Sequence, residues 1–338
     1  MCGGDFEGGF YIFTGEKVKN GKQMEMLTLI VPCYNEQDVL HLFYQETTDT
    51  LKDLDCSYEL IFINDGSTDG TLNILKELSK ADKHVNYISL SRNFGKEAAM
   101  YAGFCSAHGD YVAVLDADMQ DPPYLLPKML SILQQEPYDS VATRRENREG
   151  EPPVRSWFAH RFYKIMNRIS DADIVDGARD FRLMKRQMAD AVVAIGEYNR
   201  FSKGIFGWIG FRTYWMPYEN VERAAGETKW SFLKLTKYAV DGIVNFSQLP
   251  LNISSWIGIF MTFLSFVMML FVIARKLAFG DPVAGWASLI CVMIFIGGIQ
   301  LFCIGIMGQY LAKIYMETKK RPHYIVAESN MYDIKMVL

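Results

Sequence analysis

A pair of aspartates separated by one residue is the feature of this sequence with the clearest chemistry. Asp116, Ala117 and Asp118 follow a predicted buried strand, and Gln120 comes two residues later. Side chains alternate in an extended chain, so we expect Asp116, Asp118 and Gln120 to point the same way. Two carboxylates and an amide oxygen form a hard, oxygen-only set that suits Mg²⁺ or Mn²⁺. Such an ion would neutralise a diphosphate and stabilise it as a leaving group.

Three other polar clusters also come just after predicted strands. Asp65 stands in the segment NDGSTDG, where a carboxylate is placed to accept the ring N–H of a nucleotide base. Capping of the following helix is the alternative use of that segment. Pro32, Tyr34 and Glu36 follow the first strand and offer an aromatic ring and a carboxylate to a nucleoside. Lys96, in NFGK, adds a cation near the phosphates.

These clusters need a framework that brings strand ends together, and the hydrophobic pattern predicts one. Apolar runs alternate with helical segments of about a dozen residues, which indicates βαβ units and a parallel sheet. The carboxyl ends of such strands form the usual ligand crevice. The predicted strands are Leu27–Val31, Tyr58–Ile63, Val85–Leu90 and Tyr111–Leu115, and the predicted helices are Asp38–Leu54, Thr71–Ala81 and Gly95–Ala107.

The last third of the chain is predicted to enter a membrane. Ile253–Ala274 and Val283–Ala312 contain no charged residue, and each is longer than the roughly 18 to 20 residues that cross a bilayer as a helix. Basic residues before the first run and after the second favour a cytoplasmic location for the catalytic part and the tail. Trp230–Gln248 and Val154–Ile169 mix basic and aromatic residues, which is typical of helices at a membrane surface. Ordinary packing on the core is the alternative for both.

Composition narrows the function classes. The 338 residues carry a net charge of −4, which argues against a nucleic-acid-binding protein. The six cysteines have no CxxC spacing, so we predict reduced thiols and neither a zinc site nor a disulfide framework. The predicted divisions are a flexible leader at 1–25, a catalytic domain at 26–229, interfacial amphipathic helices at 230–250, two transmembrane helices at 251–314 and a cytoplasmic tail at 315–338.

The order of several motifs resembles that of family 2 glycosyltransferases. The narrower resemblance is to polyprenyl-phosphate glycosyltransferases, namely dolichyl-phosphate mannose synthase and the bactoprenol glucosyltransferases, and it runs from about Leu27 to the end of the chain. The motifs are VPCYNE, NDGSTDG, SRNFGKEAA, DADMQDPP, RDFRLM, NRFSKGIFGWIGF and AAGETKWSFLKL. The resemblance implies a GT-A α/β domain, with a mostly parallel sheet, and a C-terminal pair of transmembrane helices.

The activity that the resemblance implies is transfer of a sugar from a nucleotide-sugar to polyprenyl (undecaprenyl) phosphate, with inversion and with Mg²⁺ or Mn²⁺. A UDP-sugar, glucose or N-acetylglucosamine, is favoured as the donor, and relatives imply a homotetramer in the membrane. The phosphate monoester of such an acceptor has a second pKa of about 6 and is already largely ionised at neutral pH. A strong general base is therefore less necessary than for a sugar hydroxyl.

The resemblance also implies residue roles. Asp180, in the DFRL motif, would lie near the reacting centre, either as a base or as an orienting group, with a structural salt bridge as its alternative. Arg179 departs from many relatives, which have Gly before DFRL. The implied donor contacts are Pro32, Tyr34, Glu36, Asp65, Lys96, Asp116 and Ala117, the metal ligands Asp118 and Gln120, and the catalytic set Asp116, Asp118 and Asp180. The implied phosphate and acceptor contacts are Arg144, Arg148, Arg200, Arg223 and Lys229, and solvated surface charge is the alternative for the four arginines.

Competing functions are separated by motifs that are present or missing. Processive polysaccharide synthases carry a QxxRW motif, which this sequence lacks. A non-catalytic membrane scaffold built on a decayed transferase would not be expected to keep Asp65, Asp116, Asp118 and Gln120 together. The sequence leaves the sugar and the nucleobase open, so a GDP-mannose-using dolichyl-phosphate mannose synthase stays as an alternative.

Overall fold

A computed structural model describes residues 25–52, 54–145, 175, 177–218, 244, 247, 249–279 and 285–331. One eight-stranded sheet organises the catalytic part, in the order β7-β5-β6-β4-β1-β2-β3-β8. The strands are β1 (Met26–Cys33), β2 (Ser57–Asn64), β3 (Val85–Leu90), β4 (Tyr111–Val114), β5 (Ser140–Arg145), β6 (Ala178–Lys185), β7 (Thr213–Tyr218) and β8 (Val326–Ser329). The pairs β1/β2, β1/β4, β2/β3 and β5/β7 are parallel, whereas β4/β6, β5/β6 and β3/β8 are antiparallel.

The central strands are buried on both faces, which explains their nearly continuous apolar sequences. In β1, Leu29 and Val31 enter one core while Ile30, between them, enters the other. Helices α1 (Leu40–Lys52), α2 (Thr71–Ala81) and α4 (Leu126–Gln135) cover the first face. Helices α3 (Lys96–Ser106), α5 (Arg186–Ala194) and α6 (Ser202–Trp208) cover the second. The four predicted strands and three predicted helices are therefore confirmed, as is the α/β class with its mostly parallel sheet.

Helix α3 lies unusually close to the sheet, and this sets the position of its first residue, Lys96. A Cβ added to Gly103 would come within 2.2 Å of Ile30 Cγ2. Only a residue without a side chain allows that approach, so Gly103 seats the helix directly on β1. The amino end of α3 consequently points at the carboxyl ends of the central strands.

Two long apolar helices follow the catalytic part. They are α7 (Leu249–Phe279) and α8 (Trp286–Thr318), and the stretches Leu249–Met268 and Val292–Thr318 are long and apolar enough to cross a membrane. Hardly any of their side chains are buried within the protein, which is unlike the core helix of a soluble domain. These helices support membrane association.

The chain returns from α8 to the catalytic sheet within the segment 315–338, which the sequence predicted as a cytoplasmic tail. Strand β8 pairs antiparallel with β3. The side chain of Asn330 accepts from the Tyr87 N–H at 2.7 Å and donates to the Val85 carbonyl at 3.2 Å. Tyr324 is buried in the second core. The short polar sequence VAES gave no strand signal, because its pairing comes from a partner strand far away in the sequence.

Candidate active site

The loops after β1 and β2 are joined to each other by reciprocal hydrogen bonds. Asn35 N–H donates to Ser67 Oγ at 3.0 Å, and Thr68 N–H donates back to Asn35 Oδ1 at 2.8 Å. Glu36 N–H donates to Thr71 Oγ1 at 2.9 Å. These bonds fix the segment that contains the predicted nucleoside contacts Pro32, Tyr34 and Glu36, and the Tyr34 ring stays 45% exposed beside it. An open aromatic face on a rigid loop is suited to stacking on a base.

Asp65 is buried and holds the next loop along the sheet. Its Oδ1 accepts from Phe94 N–H at 2.7 Å, and its Oδ2 accepts from Gly95 N–H at 2.9 Å. Burial raises the pKa of this carboxyl above its usual value, although both hydrogen bonds act in the opposite direction. Each carboxylate oxygen keeps a second lone pair. Asp65 therefore anchors the loop before α3, and its predicted contact with a base stays a prediction.

Gly66 lets the loop after β2 touch the loop after β3. Its φ is +64°, and an added Cβ would come within 2.3 Å of the Arg92 carbonyl carbon. An L side chain would be strained there by conformation as well as by space. The three loops after β1, β2 and β3 therefore form one rigid surface, which we call the donor cradle (residues 33–37, 64–71 and 91–96).

The aspartate pair after β4 lies on a turn, so the extended-chain interpretation is wrong beyond the strand end. Strand β4 ends at Val114 and a turn includes Ala117 and Asp118. Gln120 N–H closes it with a 3.1 Å bond to Asp118 Oδ1, and Met119 has a φ of 60°. Ala117 is buried while Asp116 and Asp118 are partly exposed. The turn thus keeps both carboxylates accessible by a different geometry from the one predicted.

Lys96 brings together Asp116, which follows β4, and Asp180, which lies in β6. Its Nζ lies 2.7 Å from Asp116 and 2.5 Å from Asp180 Oδ2. On the other side, Lys203 Nζ lies 4.0 Å from Asp180 Oδ1. Burial alone would raise the pKa of Asp180, but Lys96 and Lys203 hold it below its usual range. Asp180 is therefore a carboxylate at neutral pH and a weak proton acceptor, which favours an orienting role over a basic one.

Arg179, the residue noted as a departure from relatives, joins a cluster beside the aspartate pair. Its Nε lies 3.3 Å from Asp121 Oδ1 and donates to the Tyr218 hydroxyl at 3.0 Å. Its Nη2 donates to Gln120 Oε1 at 3.1 Å. The Tyr218 hydroxyl in turn donates to Asp121 at 3.2 Å. Arg179 thus fixes the amide of Gln120 and neutralises a carboxylate that is only 1% exposed.

The predicted phosphate-binding arginines are not brought together in the described residues. Arg200 is buried, donates to the carbonyls of Val192 and Ile195, and stacks on the Tyr101 ring at 4.2 Å. These contacts give it a structural role, so we do not assign it to phosphate. Arg144 lies at the end of β5 with an exposed side chain. Three predicted contacts lie outside the described residues, namely Arg148, Arg223 and Lys229.

The oxygen atoms of Asp116, Asp118 and Gln120 fit a divalent ion whose remaining ligands come from the substrate. Within the part of the chain that the structure describes, no three His, Cys, Asp or Glu side chains lie close enough to hold a metal by themselves. Mg²⁺ commonly takes one or two carboxylates and keeps substrate phosphates and waters as its other ligands. Asp116 and Asp118 match that pattern, and Gln120 Oε1 keeps a lone pair beyond its bond to Arg179.

Some residues that contact the candidate site were not singled out by sequence reasoning. Lys203, Asp121 and Tyr218 all contact predicted site residues. Lys203 stands within the motif NRFSKGIFGWIGF, but its sequence does not show that α6 packs beside Asp180. Tyr218 is the last residue of β7, and the sequence pattern did not predict this strand. The missing signal in each case is the strand order of the sheet.

Known proteins identify the family. The description "Glycosyl transferase family 2" matches residues 28–193. The chain is also similar to a crystal structure of glucosyl-3-phosphoglycerate synthase from Mycobacterium tuberculosis. The match covers 65% of this chain and 78% of the synthase chain, with 17% identity and a TM-score of 0.46. A protein named glycosyltransferase CsbB, from Bacillus subtilis (strain 168), is 44% identical over 306 residues, 90% of this chain and 92% of that protein. The bactoprenol glucosyl transferase of Shigella phage SfII is 38% identical over 304 residues, 90% of this chain and 98% of that protein. From the identity and coverage of these two relatives, the chain belongs to family 2 of the glycosyltransferases.

Proposed function

We propose that this glycosyltransferase moves glucose, or N-acetylglucosamine, from a UDP-sugar to polyprenyl phosphate at the cytoplasmic face of a membrane. Bactoprenol glucosyl transferases that align with nearly the whole chain support both the glucosyl group and the lipid carrier. The donor cradle and the aspartate turn supply what a nucleotide diphosphate needs: an aromatic face, fixed backbone, and carboxylates for an ion. A tetrameric assembly stays a prediction from the resemblance.

The observation that carries the proposal is the attachment of two membrane-length helices to the sheet that holds the site. The chain leaves the catalytic part, forms α7 and α8, and returns as β8 beside β3. Two crossings put both ends of the helix pair on one side of a bilayer, which agrees with the basic flanks of the apolar runs. An enzyme with a water-soluble acceptor has no need of this arrangement, whereas one with a lipid acceptor does.

The proposed reaction is a direct displacement. An oxygen of the acceptor phosphate attacks the anomeric carbon while the bond from that carbon to the diphosphate breaks. The nucleoside diphosphate leaves with the bonding electrons, and the configuration at the anomeric carbon inverts. Asp180 orients the reactants as a carboxylate, and Lys96 places a positive charge beside Asp116, where negative charge accumulates on the leaving group. Mg²⁺ or Mn²⁺, held by Asp118 and Gln120, would supply further neutralisation of the diphosphate.

A transfer assay tests the proposal. Purified full-length protein in detergent is mixed with undecaprenyl phosphate, Mg²⁺ or Mn²⁺, and radiolabelled UDP- and GDP-sugars in turn. We expect a labelled lipid from a UDP-sugar, no product from Asp118→Ala, and normal product from Asp49→Ala, which changes an exposed aspartate of α1 that pairs with Lys52. A lipid product only from GDP-mannose contradicts the donor assignment. No lipid product from any donor, by a protein that still binds nucleotide, contradicts the acceptor assignment.

A further inference from the structure

A cavity beside Asp180 has the composition of an anion site. It encloses about 310 Å³ between β6, α6 and β7, which falls in the range of roughly 300–1,000 Å³ that is usual for ligand pockets. Its lining includes three cationic residues and no acidic one. The lining residues used below are Arg179, Arg182, Lys203, Phe206, Thr213 and Trp215.

Arg182 is the unusual member of this lining. Its residue is only 3% exposed, and within the described part of the chain its guanidinium makes no ion pair with a carboxylate. Nη1 donates to Ser140 Oγ and Thr213 Oγ1, both at 3.1 Å, whereas the buried Nε has no hydrogen-bond partner. Asp180 is the carboxylate that acts electrostatically on this guanidinium, and Asp180 is already shared with Lys96 and Lys203. A bound anion in the cavity would add counter-charge for a buried cation.

Two aromatic side chains lie against the Arg182 guanidinium. The guanidinium lies 4.5 Å from the Phe206 ring centroid and 5.3 Å from the Trp215 ring centroid. These aromatic contacts hold its plane in one orientation and partly stabilise the charge. Arginine in a fixed orientation presents its N–H groups as a fork that matches a phosphate. Burial also lowers the pKa of Arg182, to about 9, which still leaves it protonated at neutral pH.

The cavity adjoins the candidate site through two of its lining residues. Lys203 lies 4.0 Å from Asp180, which Lys96 links to Asp116. Arg179 donates to Gln120 at 3.1 Å. A group bound in the cavity would therefore lie next to the residues that surround the reacting centre.

The same wall is attached to the membrane end of α8. Tyr198 N–H donates to Glu317 Oε1 at 2.8 Å, near the end of the apolar stretch Val292–Thr318. Four residues later, α6 begins at Ser202, whose N–H and hydroxyl donate to Glu97 beside Lys96. Helix α6 thus connects the reacting centre to the last turn of the membrane helix, and the cavity lies along it.

We propose that this cavity binds the phosphate monoester of the acceptor lipid, with Arg182 and Lys203 as its cationic ligands. The assignment rests on the proposed function and adds the location of the acceptor phosphate. It differs from the arginines that the sequence resemblance implied. Arg182 would donate through the part of its guanidinium that lines the cavity, and Lys203 would share its charge between the phosphate and Asp180.

Direct binding of the acceptor tests the cavity without turnover. Undecaprenyl phosphate is titrated into the full-length protein in detergent, without donor, and the quenching of tryptophan fluorescence is followed, with Trp215→Phe to identify the signal from Trp215. We expect the Kd to rise at least tenfold in Arg182→Gln and in Lys203→Gln, and to stay unchanged in Arg212→Gln, whose side chain is 67% exposed. UDP binding should change less than twofold in all three variants.

Several outcomes would overturn the assignment. One is an unchanged Kd for undecaprenyl phosphate in both cavity variants. Another is an equal rise in the Kd for undecaprenol, which has the lipid tail and lacks the phosphate. A third is inorganic phosphate that binds as tightly as the lipid phosphate, which would make the cavity a free-phosphate site. If Arg182→Gln fails to fold, as thermal denaturation would show, the partly exposed Lys203 decides the result alone.

The transfer assay separates this inference from the proposed function. A wild-type protein that makes no lipid product from any donor contradicts the proposed function itself. A wild-type protein that makes product, together with an Arg182→Gln variant that keeps the KM for undecaprenyl phosphate, contradicts only the cavity assignment. We expect Arg182→Gln to raise that KM at least tenfold while the KM for the UDP-sugar stays within twofold.

Discussion

The two sides of the reacting centre are built in different ways. On the donor side, three loops bond to one another through backbone and short polar side chains, as in the pair formed by Asn35 and Thr68. On the other side, the residues around β6 are held by charge and aromatic contact, and Arg182 keeps an unpartnered Nε. The first side is complete before any ligand arrives, while the second has a charge to neutralise. We infer that the donor is recognised by shape and the acceptor by charge.

Lys96 stands where the two sides meet, and its removal should have the largest effect. In Lys96→Met, Asp116 and Asp180 lose the cation between them, and positive charge near the leaving diphosphate disappears. We expect kcat to fall by about 10²–10³-fold, as for the loss of a preorganised charge-stabilising donor. Steady-state transfer rates measure this. Lys80→Met, at the exposed end of α2, is the matched control and should keep the wild-type rate.

The same substitution should move the acid limit of stability. Lys96 and Lys203 lower the pKa of Asp180 in the folded protein below the unfolded value of about 3.9. The stabilisation from this carboxylate is therefore present above about pH 4 and is lost as pH falls through the folded pKa. In Lys96→Met the folded pKa rises, so the loss begins at higher pH. Urea denaturation between pH 3 and 7 measures the shift, and parallel profiles for the two proteins would contradict it.

The shape of the donor side is best broken at Gly66. In Gly66→Ala, the positive φ alone costs about 1–2 kcal/mol, and the 2.3 Å approach to Arg92 forces the loops apart. We expect lower stability in urea and weaker UDP binding, with little change in acceptor affinity. Gly196→Ala is the control, because a Cβ there meets nothing within 4 Å. Weakened binding of the acceptor by the same factor as UDP would show that the two sides are not separate.

The outer edge of the donor side offers the smallest effect. Asn330→Ala removes the side chain that pairs with Val85 and Tyr87, and we expect a loss of about 1 kcal/mol in the free energy of unfolding. Glu328→Gln removes only the charge opposite Lys76 and should cost less than Asn330→Ala, because an ion pair in contact with water contributes little. Chemical denaturation compares the two. A larger loss of unfolding free energy for Glu328→Gln than for Asn330→Ala would mean that the ion pair, and not the Asn330 hydrogen bonds, stabilises the β3/β8 edge.

Sequence patterns predicted the first half of the fold better than the second for a physical reason. Strands β1 to β4 are apolar runs buried on both faces, and each is followed by its own helix, so the local sequence specifies them. Strands β5 to β8 depend on partners far along the chain, and β8 pairs with β3 through a short polar segment. The site followed the same rule. Asp116, Asp118 and Asp180 carry motifs, whereas Lys203 and Tyr218 become site residues only through the strand order.

Strand β8 also has a consequence for how the protein is made. The sheet begins with β1 near residue 26 and is closed at its far edge by residues 326–329. Everything between them, including α7 and α8, must leave the ribosome before that edge can be covered. During synthesis, β3 is therefore exposed as an edge strand until both apolar helices have been made. The sheet is completed only after the helix pair has been synthesised, so the edge at β3 is the last one to be covered.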